Sequence, residues 1–145
     1  MLDRLQAVFQ SLRLNDVRYL VIGGIAAVLY GVPRATFDLD ILIEPSLENA
    51  KRLLKAFREA GLGTADLIEP DHLLTQEIAI FKDRVRIDVQ TSTPGISFEE
   101  AWGRRELKKV GREVAPVLSR ADLIASKRAS GRRVDLEDVE ALESS

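Results

Sequence analysis

Two aspartates on one apolar strand constrain this chain more than anything else in it. Residues 36–43 read TFDLDILI, a β-type run of Phe, Ile and Leu. Strand side chains alternate between faces, so Phe37, Leu39, Ile41 and Ile43 share one face and Asp38 and Asp40 share the other. Aspartate is depleted in strands, and two on one face repel unless positive charge sits between them. Their Cα atoms stand roughly 6.5–7 Å apart, within reach of one Mg²⁺ or a pair of ions. Hard divalent cations take oxygen ligands, and Mg²⁺ is commonly shared between carboxylates and substrate phosphates.

The residues before that strand supply a complementary half. Residues 19–22 (YLVI) form an apolar strand that ends in Gly23 and Gly24. Residues 25–30 suit one to two turns of buried helix, stopped by Gly31 and Pro33. Backbone N–H groups where a strand feeds a helix favour an anion, and glycine lets a phosphate approach closely. One strand–helix–strand unit thus combines a phosphate cradle, Gly23 and Gly24, with a metal site at Asp38 and Asp40.

A glycine pair, a gap of this size and then D-x-D resembles the signature of the nucleotidyltransferase fold shared by DNA polymerase β, CCA-adding enzymes and minimal nucleotidyltransferases. The string GGIAAVLYGVPRATFDLDI is most similar to small prokaryotic members related to abortive-infection, toxin–antitoxin nucleotidyltransferases. The resemblance implies an α/β (α+β) fold: a mixed β-sheet flanked by helices, with a helical C-terminus. It also implies transfer of NMP from an NTP to a hydroxyl of an RNA (tRNA) or protein acceptor, with two Mg²⁺ ions.

Composition is compatible with this. The 145 residues suffice for one domain with a real core, read as a catalytic core over 1–96 and strands and helices over 97–145 that complete the site. No run approaches a membrane span, and the amphipathic N-terminus does not read as a signal peptide. There is no cysteine, hence no disulfide, thiolate zinc site or cysteine nucleophile. These features fit the cytoplasm. A net charge of −2 argues against bulk nucleic-acid binding, although residues 104–112 and 127–133 are locally basic. Such runs are most often solvated faces.

Along the chain, the apolar spacing of Leu2, Leu5, Phe9 and Leu12 predicts a packing helix over 2–14. Ser46 caps a helix over 47–60, closed by Gly61. Residues 63–75 carry no clear pattern; their His72, the single histidine, suits a surface or capping role. Residues 77–91 read as a hairpin whose second strand places Val85, Ile87 and Val89 on one face and Arg86, Asp88 and Gln90 on the other. Residues 97–103 suit a short helix with Phe98, Ala101 and Trp102 packed inward. Two short strands follow over 107–110 and 113–117. Ser119 with Asp122 suggests a capping box for a helix ending at Gly131, and Asp135 suits the cap of a last helix. Ser144 and Ser145 read as a tail.

The resemblance assigns further roles. Asp88 falls where the fold carries a third acid that completes the metal site; an ion pair with Arg86 is the structural alternative. Arg34, in R-x-T-x-D-x-D, is implied to lie near the nucleotide, and Thr36 with it; a turn arginine and a β-favouring threonine are the plain reading. The string ADLIASKRASGRRVDLEDV resembles a C-terminal K…A…R…D…D segment, in which Lys127 is implied to reach the triphosphate. Capping and ion pairing explain Arg132, Asp135 and Asp138 equally well. Two features depart from the pattern. Many minimal relatives have Gly-Ser where this chain has Gly23-Gly24, and larger relatives carry an added acceptor-binding domain. A cognate toxin or antitoxin, or a second subunit, would then complete the acceptor site. Competing readings are a catalytically silent nucleotide-binding or partner-binding module and a two-metal nuclease.

Overall fold

Residues 19–22 are apolar on both faces, which suits only the interior of a sheet. A computed structural model describes residues 2–36 and 38–144, and of residues 2 and 3 the backbone alone. Phe37, Ser145 and the side chain of Leu2, each given a place by the sequence, lie outside the described residues. Strand β1 (Tyr19–Ile22) is buried at all four positions and lies between β2 (Asp38–Ile43) and β6 (Glu113–Val117). The sheet has six strands in the order β3-β4-β2-β1-β6-β5, with β3 (Ile78–Lys82), β4 (Arg86–Gln90) and β5 (Glu106–Val110). It is mixed. The pairs β2/β4 and β1/β6 are parallel; β1/β2, β3/β4 and β5/β6 are antiparallel.

One face of the sheet is closed by α1 (Leu2–Leu14) and α3 (Leu47–Glu59). Phe81, Ile87 and Leu39 stand in register across β3, β4 and β2, and Phe57 of α3 meets Phe81 edge-on at 5.0 Å. Tyr19, in register with Ile43, stacks on Phe9 of α1 at 6.4 Å. Leu39, Ile41 and Ile43 are fully buried here, as their alternation predicts. Ser11 ties the two helices by donating to the Ala56 carbonyl at 2.6 Å.

The opposite face carries Ile22, Asp38, Asp40, Arg86 and Asp88. It is partly roofed by α2 (Gly23–Leu29) and by α6 (Arg120–Ser130), with α7 (Arg133–Glu143) packed on α6. The roof stops short of β3, where Ile78 and Ile80 are exposed. The loop after β4 is pinned to α6 at Gly95, whose φ is +76° and where a Cβ would lie 3.0 Å from the Ala129 Cβ.

Buried Asn49, at the start of α3, clamps β1 to β2. It accepts from the Arg18 N–H at 2.8 Å and donates to the Arg18 and Glu44 carbonyls at 2.9 and 3.0 Å. Ser46 caps α3 through the Asn49 N–H, as expected. Residues 63–75 hold a 3₁₀ turn (Gly63–Leu67) and a short helix α4 (Pro70–Leu74), with His72 exposed. Helix α5 (Phe98–Gly103) buries Phe98 and Ala101. Trp102 is only half-buried: it stacks on Phe98 and carries the Arg105 guanidinium at 4.0 Å from its centroid.

Two capping expectations change. Ser119 accepts from the Asp122 N–H, but the Asp122 carboxylate is held by both arms of Arg104 at 3.0 and 3.1 Å instead of closing a box. Asp135 does not cap α7. That position is Arg132, without a side-chain cap, and Asp135 lies within the first turn because its carboxylate is engaged by Lys127, Ser130 and Arg132. No helix among the described residues is long and apolar enough to cross a membrane.

Candidate active site

Register builds the site. Parallel pairing of β2 with β4 sets Asp40 beside Asp88 and Asp38 beside Arg86. Antiparallel pairing with β1 sets Asp40 beside Ile22, so its carboxylate meets the chain where β1 turns into α2. Gly23 there has φ +70°, and a Cβ on it would collide with the Asp40 Oδ2. Both the left-handed backbone and the carboxylate require glycine. At Gly24 a Cβ would lie 3.0 Å from Thr36 Oγ1 and 3.4 Å from Arg34 Nη2. The glycine pair therefore touches the acid on one side and Arg34 with Thr36 on the other.

Of these residues Ile22, Gly23 and Asp40 open into a cleft of about 300 Å³ whose other walls include Gln90, Lys127 and Arg132. Asp40 is the most perturbed group in it. Burial first, then the charges of Asp88 and Asp38 and a hydrogen bond with Asp88, push its carboxyl up to about 7, against a partial opposing pull from Arg132. Two carboxyls this close share a deficit of positive charge. An all-oxygen donor pair of this kind fits a hard divalent cation.

Asp38 is placed differently. Its side chain is nearly half exposed, turned to Arg86 at 3.8 Å, and lines a neighbouring depression instead of the cleft. Arg86 in turn grips Asp88, from Nε at 3.0 Å and from Nη2 at 3.4 Å. The structural alternative for Asp88, its pairing with Arg86, is thus realised, alongside its contact with Asp40. Among the described residues, no group of three or more His, Cys, Asp and Glu side chains stands close enough together to hold a metal ion.

Lys127 reaches the cleft wall but is 4% exposed, and its ammonium lies 2.8 Å from Asp138 and 3.4 Å from Asp135. Asp138 also accepts from Arg34 Nη1 at 2.6 Å. Arg34 and Lys127, the two cations implied to serve the nucleotide, thus share one buried carboxylate. Burial alone would raise the Asp135 carboxyl, but hydrogen bonds from Ser130 and Arg132 and the charge of Lys127 hold it below the usual range. Arg132 is the most exposed cation of this group, and Asp40 feels its charge. The sequence marked Arg132 only as ambiguous, although its place three residues before Asp135 was the signal.

A mixed sheet with an acidic strand edge, a glycine-pair turn pressed on that acid and a basic helical C-terminus defines a nucleotidyltransferase-like α/β protein. The chain belongs to the family described as "Nucleotidyltransferase of unknown function (DUF6036)", whose model matches residues 3–143. Among curated proteins no match to the chain is found.

Proposed function

We propose that this chain transfers a nucleoside monophosphate from a nucleoside triphosphate to a hydroxyl of an RNA or protein acceptor, with a divalent cation held at Asp40 and Asp88, and with Asp38 joining that set only by turning away from Arg86. The observation that carries the reading is Asp40, pressed against Gly23 in the cleft and in register with Asp88 on the neighbouring strand. A bound divalent metal would stabilise the attacking and leaving oxygens of an in-line displacement at the α-phosphorus. The chain's own residues do the rest. Gly23 and Gly24 keep the backbone bare for the phosphates. Arg34 presents Nη2 on the Gly24 side while Asp138 fixes Nη1, so its fork is oriented before the substrate arrives. Lys127 adds positive charge to the wall on which pyrophosphate would leave. Asp88 stands nearest the open side of the sheet, toward exposed Ile80 across β3, and suits the acceptor hydroxyl and its proton.

The test uses purified protein, Mg²⁺, each α-phosphate-labelled nucleoside triphosphate and a cell lysate, with an Asp38→Asn/Asp40→Asn variant alongside. Label carried only by the wild type supports transfer, and its sensitivity to RNase or protease identifies the acceptor class. A cognate toxin or antitoxin in the lysate would serve as acceptor or as activator.

One observation favours a second reading, a nucleotide-binding or partner-binding module without catalysis. Arg86 satisfies Asp88, and Asp135 with Asp138 satisfies Lys127, without any ligand. Nucleotide binding with no label transfer under any acceptor would support that reading.

A further inference from the structure

We propose that Arg86 is a built-in counter-ion of the acidic face, and that a divalent cation reaches Asp40 and Asp88 by displacing it. The inference rests on the metal site read above. The four side chains occupy the corners of a small quadrilateral on two adjacent parallel strands: Asp38 beside Arg86, Asp40 beside Asp88. Arg86 precedes Asp88 by two residues, so the two side chains share a face. Its guanidinium engages both carboxylate oxygens of Asp88, at 3.0 and 3.4 Å, and approaches Asp38 at 3.8 Å. Asp40 makes no such contact with Arg86.

A carboxylate whose two oxygens both accept from a guanidinium fork offers a metal ion only its remaining lone pairs, beside a fixed positive charge that repels it. Arginine stays charged, so it cannot yield by losing a proton. It must move. There is room: the Arg86 side chain is 39% exposed and borders a depression of about 450 Å³ that Asp38, Asp83, Lys82 and Arg84 also line. Metal entry is therefore an exchange of one cation for another. The exchange weakens binding of the free ion and balances part of the charge of the acidic face until a cation arrives.

The test is Mn²⁺ binding, followed by electron paramagnetic resonance and calorimetry, on wild type, Arg86→Gln, Arg86→Lys and Asp40→Asn. Removing the competing charge should tighten Mn²⁺ binding about three- to tenfold in Arg86→Gln. Arg86→Lys keeps the charge but loses the fork, and should tighten it by about twofold. Metal-free Arg86→Gln should also melt below wild type and regain the difference with Mg²⁺. Should Arg86→Gln fail to fold, Arg86→Lys decides. Equal or weaker Mn²⁺ binding in the folded Arg86 variants, with binding lost in Asp40→Asn, overturns the role of Arg86 and leaves the metal site standing. Absence of Mn²⁺ binding in wild type and Arg86 variants alike overturns the site and this inference together.

Discussion

The Asp40 carboxylate lies directly on the backbone of Gly23, leaving no space there for a Cβ. The relationship joins the two motifs that stand apart in the sequence, and it follows from the antiparallel register of Ile22 with Asp40. Gly23→Ala must therefore meet two costs: a left-handed backbone and a collision with a charged side chain. We expect a loss of at least about 1–2 kcal/mol in urea unfolding. Unchanged stability would mean that Asp40 does not rest on this glycine.

Asp40 makes stability depend on pH in a defined direction. Its carboxyl is raised to about 7 in the folded chain, by burial and by Asp88 and Asp38. Between the ordinary aspartate range and pH 7 the folded state therefore holds a proton that the unfolded state has released. Stability from this group is greatest near pH 4, falls as pH rises toward 7, and is level above it. The Asp40→Asn variant should lack this slope and exceed wild type by about 1–3 kcal/mol at pH 7.5 without metal. Urea unfolding at pH 5, 6 and 7.5 measures it; parallel slopes in the two proteins would count against the assignment.

Asp138 holds Lys127 and Arg34 together in a buried cluster. Asp138→Ala takes the shared carboxylate from Arg34 and leaves Lys127 only its longer contact with Asp135, and breaking a buried pair from one side is costly. A loss of about 3 kcal/mol or more is expected in denaturant unfolding. A change below about 0.5 kcal/mol, the scale of an ordinary surface substitution, would contradict the cluster.

Much of the fold was legible because its signals are local. Alternation separated Leu39 and Ile41 from Asp38 and Asp40, and Ser46 and Gly61 marked the ends of α3. The site was legible only in its parts. Asp40, Asp88 and Gly23 converge through strand register, which the sequence does not print. The two aspartates of D-x-D share a face but not a setting: Asp40 enters the cleft, while Asp38 lies outside it with Arg86. The resemblance implies that Lys127 reaches the triphosphate; its burial depends on α7 folding back to bring Asp135 and Asp138 against it. Asp135 suits a cap in the sequence because its three partners are tertiary or lie across a turn.

Asn49 shows a clamp that no local pattern announced. Its amide spans the entry to β1 and the exit from β2, and so fixes the register that carries Asp40 to Gly23. Asn49→Ala removes all three hydrogen bonds and leaves the part-buried Arg18 N–H and Glu44 carbonyl without this partner, which should cost about 1–3 kcal/mol. Hydrogen exchange should quicken at the Arg18 amide before the rest of the sheet; uniform protection would argue against the clamp.

The most direct measurement of the central claim compares α- and γ-phosphate-labelled nucleoside triphosphates in one assay with Mg²⁺, wild type and Asp40→Asn. Nucleotidyl transfer leaves the α-phosphate on the acceptor and releases the γ-phosphate with pyrophosphate. The account predicts α-label but no γ-label in the macromolecular fraction, and a drop of about 100-fold or more in Asp40→Asn, the scale on which loss of one transition-state contact is felt. Label from the γ-position, or α-label that survives Asp40→Asn undiminished, would contradict it.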